Sequence, residues 1–197
     1  MRSEHIGTAA SGSDAELMAR VHEGDKAALA TLMERWELRL KAFIGRIVLN
    51  AAEAEDLAQE TFVAVWQTRE RFRAGAEFKP WVFTIALNLA RNRLRWWRRR
   101  PTVSLDEWMR SDATRAEEAS NAEPGTPHRV ERAERAAAVR DAIAALPADL
   151  REAIVLFEYE DMSHAEIARM IGATPKAVET RIHRARAKLR RTLKQWA

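Results

Sequence analysis

The chain has no cysteine. Disulfides and thiolate zinc sites are thereby excluded, and any thiol-based redox sensing must lie outside it. The histidines, His5, His22, His128, His164 and His183, show no metal-ligand spacing, so no metal site is assigned. No apolar run approaches the about twenty residues a membrane span needs. Met1–Ser13 is polar and lacks the apolar core of a signal peptide. The expected location is the cytoplasm, without membrane insertion. Glycine-rich phosphate loops, an HExxH pair, a nucleophile elbow and a Cys–His pair are all missing. Carboxylates are plentiful, but nothing pushes two of them into a shared apolar pocket, as acid–base chemistry requires. The chain therefore reads as a binding protein rather than an enzyme, and no cofactor is implied. No convincing strand and no fixed-period repeat is found either.

What remains is a succession of helices, an all-α pattern. Residues 1–12 read as a disordered tail. Ser13-Asp14-Ala15-Glu16 is a capping box that opens a short helix ending near Gly24. Asp25 caps the next, whose stripe of Leu29, Leu32, Met33, Trp36, Leu40, Phe43, Ile44 and Ile47 needs a partner. Asn50 caps a third helix, running to about Arg69. Leu57, Thr61, Ala64, Val65 and Thr68 form its expected core stripe, and Glu53, Asp56, Gln59, Glu60 and Val63 form a second face. The helix dipole accounts for acids in the first turn, and so for Glu53 to Asp56 better than for Glu60. That face is either a docking surface for a protein or a solvated face.

Arg71–Lys79 is a connector containing Gly75, with Phe72 and Phe78 near its ends. Pro80 is expected to start a helix running to about Arg100, with Trp81, Ile85 and Leu89 inward and Val82 and Ala86 beside them. Asn88, Asn92 and Arg95 share another face, surrounded by arginines and by Trp96 and Trp97. Cations, amides and flat rings together suit single-stranded nucleic acid, although the two tryptophans serve equally well as core anchors. Residues 101–134 carry eight acids and four bases, broken by Pro124, Gly125 and Pro127, and read as an acidic flexible linker. Arg135–Leu146 is helical, with Val139, Ile143 and Leu146 inward. Asp149 is placed to cap a further helix bearing Ile154, Val155 and Phe157, which ends near Asp161.

Ser163–Ala197 is the most legible stretch. Ser163 and Glu166 form a second capping box, Gly172 stops that helix, Thr174 caps the next, and Pro175 takes its first position. The last helix buries Val178, Ile182, Ala185, Leu189 and Leu193, and its other faces are strongly basic. This is a helix-turn-helix whose second helix suits a major groove. The formal charge is only +4, but the positive charge falls in two blocks. One is that helix. The other, Phe78–Arg100, holds Lys79 and six arginines with no acid. Two blocks point to two contacts with a polyanion.

Several motifs carry a resemblance. Glu55-Asp56-Leu57-Ala58-Gln59-Glu60-Thr61-Phe62 followed by Trp66, and Phe78-Lys79-Pro80-Trp81-Val82-Phe83-Thr84-Ile85-Ala86-Leu87-Asn88, resemble region 2 of bacterial sigma factors of the extracytoplasmic-function (ECF, group IV) type of the sigma-70 family. Leu146-Pro147, Arg151, Ala153 and Val178-Glu179-Thr180-Arg181-Ile182-His183-Arg184-Ala185-Arg186 resemble region 4. The likeness implies region 2 over residues 13–100 and region 4 over 135–197, two small helical domains joined by the linker. It implies a core RNA polymerase partner, engaged at the clamp helices of the largest subunit and the flap of the second-largest. Asp56, Gln59, Glu60 and Phe62 match the polymerase-binding positions. Phe72, Arg73, Phe78, Asn88, Arg91, Asn92 and Arg95 match the segment that opens the −10 element and captures single-stranded bases. Lys176, Glu179, Thr180, His183, Arg184 and Arg191 point toward duplex −35 DNA, with Arg184 and Lys176 foremost. Glu179, where relatives often carry a basic or neutral residue, either accepts from a cytosine amino group or pairs with a neighbour; Asn92 stands where many have Asp. The linker is expected to run toward the RNA exit path, and an anti-sigma factor is implied as a second partner. An ordinary helix-turn-helix regulator accounts for Ser163–Ala197 alone. A sigma mimic that sequesters an anti-sigma factor has no need of a basic recognition helix.

Overall fold

The computed structural model describes residues 12–73, 75–99 and 127–194. Among them the elements are α1 (Asp14–His22), α2 (Lys26–Val48), α3 (Ala51–Gln67), a 3-10 turn (Arg69–Arg71), α4 (Phe78–Arg99), α5 (Pro127–Ala144), α6 (Ala148–Glu158), α7 (His164–Ile171) and α8 (Pro175–Thr192). The expected tail and most of the expected linker fall outside the described residues.

The helix starts follow from the caps. Glu16 accepts from the Ser13 amide at 2.6 Å and its own amide donates to Ser13 Oγ at 3.3 Å, closing the box that starts α1. Asp25 Oδ1 takes the amides of Ala27 and Ala28, and Asn50 Oδ1 takes that of Glu53. Other boundaries differ from expectation. α4 begins at Phe78, two residues before Pro80, so the proline lies inside the first turn, where its missing N–H still costs nothing. Its phase is set by Phe83, whose ring meets those of Phe43 and Trp36 edge-on. Val82, Phe83, Ala86, Leu87 and Ala90 are consequently buried, and Trp81, Ile85 and Leu89 are only partly so. α5 begins at Pro127, eight residues before the expected Arg135. Asp149 does not cap α6. Pro147 occupies the cap without a side-chain bond, and Asp149 lies in the first turn, 3.8 Å from Arg181 Nε.

α1 to α4 pack around the stripe of α2, and α7 and α8 pack on α6. Seven consecutive residues of α6, Leu150 to Leu156, are buried. A helix buried all round needs neighbours on every side, and here α8 and α7 lie on one and α2 on another. The two helical parts expected on either side of residues 100–126 are both present. In the structure the buried side chains of both halves form one continuous cluster, from Leu17 to Ala185. Ile154, 2 % exposed within it, is the sensitive point. Ile154→Ala is expected to cost about 2–5 kcal/mol, a loss read from the urea midpoint of the helical circular dichroism signal.

Candidate protein and nucleic-acid interfaces

On α3, Asp56, Gln59, Glu60 and Val63 are exposed and line a shallow groove with Ala64, Gln67 and Leu89 of α4. Val63 is 55 % exposed, unusual for so large an apolar residue. Arg93 of α4 reaches across to ion-pair with Glu53 and with Glu60 Oε1, the latter at 2.8 Å. Glu55 pairs with Lys41 at 3.0 Å. Asp56 has no ion pair among the described residues and lies exposed at the surface. Phe62 does not join this face: it is 2 % exposed and packs in the core, one helical turn from Ala58 and Val65. Its contribution is to fix the helix that carries the acids.

The connector before α4 is held by aromatic rings. Phe72 meets Trp81 at 5.0 Å and Phe78 at 6.5 Å, and Phe78 meets Trp36 at 5.9 Å, all edge-on. Phe78 is buried and Phe72 partly buried, so both anchor the connector and neither presents a free ring to a base. Arg73 is exposed beside them. Along α4, Asn88, Asn92 and Arg95 are exposed on one face, as the spacing predicts. Asn92, Arg95, Trp96 and Arg99 line an open groove, and Asn92 Oδ1 accepts from Arg95. The alternatives left for the tryptophans separate here. Trp96 is 48 % exposed in the groove, and Trp97 is half-buried. Arg91 differs from its neighbours. Its Nε and Nη2 donate to the two carboxylate oxygens of Glu152 on α6, at 3.0 and 2.5 Å. That hydrogen bond and the charge behind it hold its pKa above the usual arginine value, against the opposing effect of burial.

α7 and α8 form the expected helix-turn-helix. Gly172 takes φ 67° at the C-cap of α7, a conformation that costs glycine little. Thr174 Oγ1 accepts from the Ala177 amide at 3.2 Å. Val178, Ile182 and Ala185 are buried, and Lys176, Glu179, Thr180, His183, Arg184 and Arg191 are all exposed. Glu179 pairs with Lys176 at 2.9 Å, and that bond holds its carboxyl below the usual range. The Thr180 hydroxyl donates back to the Lys176 carbonyl at 2.9 Å. The flanking cations are already neutralised: Arg186 donates twice to Glu158, and Arg181 lies by Asp149. Arg184 and Arg191 have no acid partner among the described residues. Among those residues no cluster of His, Asp and Glu is arranged to hold a metal, and no helix is long and apolar enough to cross a membrane.

Comparison with known proteins identifies the family. Residues 32–100 match the model of Sigma-70 region 2, and residues 136–189 that of Sigma-70, region 4. The chain is 37 % identical over 176 residues to the RNA polymerase sigma factor CarQ of Myxococcus xanthus, covering 89 % of this chain and 95 % of that protein. It is 32 % identical over 182 residues to the ECF RNA polymerase sigma-E factor of Haemophilus influenzae, covering 88 % and 92 %. The solved structure of CnrH in complex with the cytosolic domain of CnrY superposes with TM-score 0.66 at 28 % identity, over 93 % of this chain and 99 % of that one. The chain belongs to the sigma-70 family and is an RNA polymerase sigma factor of the ECF type. It directs transcription initiation and is not itself an enzyme.

The capping box of α7 yields a pH prediction. Bonds from the Ser163 hydroxyl and amide hold the Glu166 carboxyl below its ordinary value. A carboxyl depressed in the folded state stabilises it above the unfolded pKa and ceases to do so as pH falls through the folded one. Ser163→Ala is expected to cost about 1 kcal/mol at neutral pH. The difference from the parent should narrow on acidification below the ordinary glutamate range, as read by thermal melts across pH.

Proposed function

We propose that the chain works through three surfaces, one for the polymerase and two for promoter DNA. The acidic groove on α3 seats the clamp helices of the largest polymerase subunit, through Asp56, Gln59, Glu60 and the exposed apolar Val63. The groove of Asn92, Arg95, Trp96 and Arg99, with Asn88 and Arg73 nearby, takes unstacked bases of the −10 element. Extracting a base costs a few kcal/mol of stacking, which a ring, amides and phosphate contacts return. The exposed side of α8 enters the −35 major groove. Arg184 and Lys176 lead there, with Thr180, His183 and Arg191 beside them and Glu179 acting on Lys176. In this arrangement Phe62, Phe72 and Phe78 support the surfaces from within.

The observation that carries this reading is the division of charge among exposed groups. Asp56 on α3 and Arg184 and Arg191 on α8 have no opposite charge within the described chain. Each is left for an external partner of the opposite sign. The factor acts in the cytoplasm, with the polymerase. An anti-sigma factor is a further proposed partner. Its support is the likeness to CnrH, solved in complex with the cytosolic domain of CnrY.

Run-off transcription with core polymerase and a panel of genomic promoter fragments tests the assignment. Asp56→Ala combined with Glu60→Ala is expected to weaken core binding, leaving promoter-duplex binding by the full chain intact. Arg184→Ala should reverse that pattern, costing about 1–3 kcal/mol in duplex binding if it reads a base edge. Unchanged promoter use by Arg184→Ala removes it from the DNA surface. Unchanged core affinity in the double variant removes the α3 groove.

A further inference from the structure

Charged side chains bridge the two halves. Glu152 on α6 takes both donors of Arg91 on α4. Glu160, 2 % exposed, pairs with Arg39 of α2 at 2.7 Å, and its backbone carbonyl accepts from Lys79 Nζ. The Arg46 guanidinium lies 4.1 Å over the Tyr159 ring. All four cations belong to the first half, and all four acceptors lie between residues 152 and 160 of the second.

Arg91 stands one helical turn from Arg95 and next to Asn92, both on the groove proposed for single-stranded DNA. A guanidinium fork recognises carboxylate and phosphate by the same two-pronged geometry. One fork cannot satisfy both. With Glu152 in place, the Arg91 side chain is only 28 % exposed and its fork is filled. We infer that Glu152 is an internal competitor of DNA phosphate for Arg91, so that the second half latches over the first and must lift for Arg91 to reach the strand.

The charges around the latch leave it poised. Glu152 acts on two guanidiniums, those of Arg91 and Arg151. Arg151, beside it on α6, is 8 % exposed, and its Nη1 is taken by the Ala144 carbonyl at 2.8 Å. Its Nε has no partner. Burial lowers the Arg151 pKa foremost; Glu152 acts against this, and Arg98 of α4 adds to it. One carboxylate thus serves Arg91 and Arg151, while Arg98 adds like charge beside Arg151. Desolvated like charges are costly, and an incoming polyanion relieves that cost when the helices part. The second pair is similarly balanced, since burial of Glu160 pushes its pKa up against the pull of Arg39. The seam holds without being an optimal salt bridge.

The inference rests on the reading of α4 as the single-strand surface, so the test separates the two. The absence of cysteine allows clean spin labelling of the full chain at Ala30→Cys on α2 and Lys188→Cys on α8, both exposed. Pulsed electron resonance then reports the distance between the halves. Binding is measured with a fluorescent random-sequence single-stranded DNA of about twelve nucleotides, longer than a minimal single-strand site. Glu152→Gln keeps the shape of the side chain and removes its charge. It is expected to populate longer distances and to tighten single-strand binding about three- to tenfold, less than a fully buried charge pair would give because Arg91 stays partly exposed. Arg39→Gln, at a partly exposed position away from the groove, should lengthen the distances too. Unchanged distances in both variants overturn the latch. Opened distances with no gain in DNA affinity overturn the competition. The α4 reading is judged separately: if Asn92→Ala with Arg95→Ala fails to weaken binding by the opened chain, that reading falls.

Discussion

The burial of α6 from Leu150 to Leu156 is the constraint on which the rest of the structure depends. A helix of eleven residues with seven consecutive buried positions cannot sit at an edge. It requires α7 and α8 on one side and the first half on another, so the core runs without interruption through both. Because a helix cannot be apolar on every face and still turn toward charged neighbours, α6 also carries Arg151 and Glu152 into the interior. Those two residues bring the cost of buried charge, and with it a junction that is firm in packing and uneasy in electrostatics.

Local signals in the sequence were legible and long-range ones were not. Ser13, Asp25, Asn50, Ser163 and Thr174 were all readable as caps because each acts on amides two or three residues away. The turn at Gly172 and the buried stripe of α8 follow from equally short rules. Asp149 was misread because a capping residue type does not guarantee the cap; Pro147 already closed that end. Phe62 was read as a contact from its place in a motif, while its spacing from Ala58 and Val65 already placed it inward. The pairing of Arg91 with Glu152 spans 61 residues and that of Arg39 with Glu160 spans 121. No periodicity reports such pairs. The one available hint was the unbroken apolar run Ala153–Phe157, which marks a helix enclosed on all sides.

The surfaces also show why charge totals say little about function. The chain has an excess of only four positive charges, and many of its cations are matched internally. Arg93, Arg181 and Arg186 hold the scaffold together, and Arg184, Arg191 and Asp56 remain open to partners. Sorting ionised groups by whether the fold already answers them separates framework from interface more sharply than counting them.

The clasp of Arg93 on Glu53 and Glu60 carries a consequence of its own. It ties the helix proposed to meet the polymerase to the helix proposed to meet the opened strand, side by side. The first half is therefore a ruler. If α3 seats the polymerase as proposed, the point where bases leave the duplex is set relative to the enzyme's own centre, whichever promoter is bound. On that proposal, sequence preference drifts through residues on the outer face of α4, while the spacing from melted base to first nucleotide stays constant.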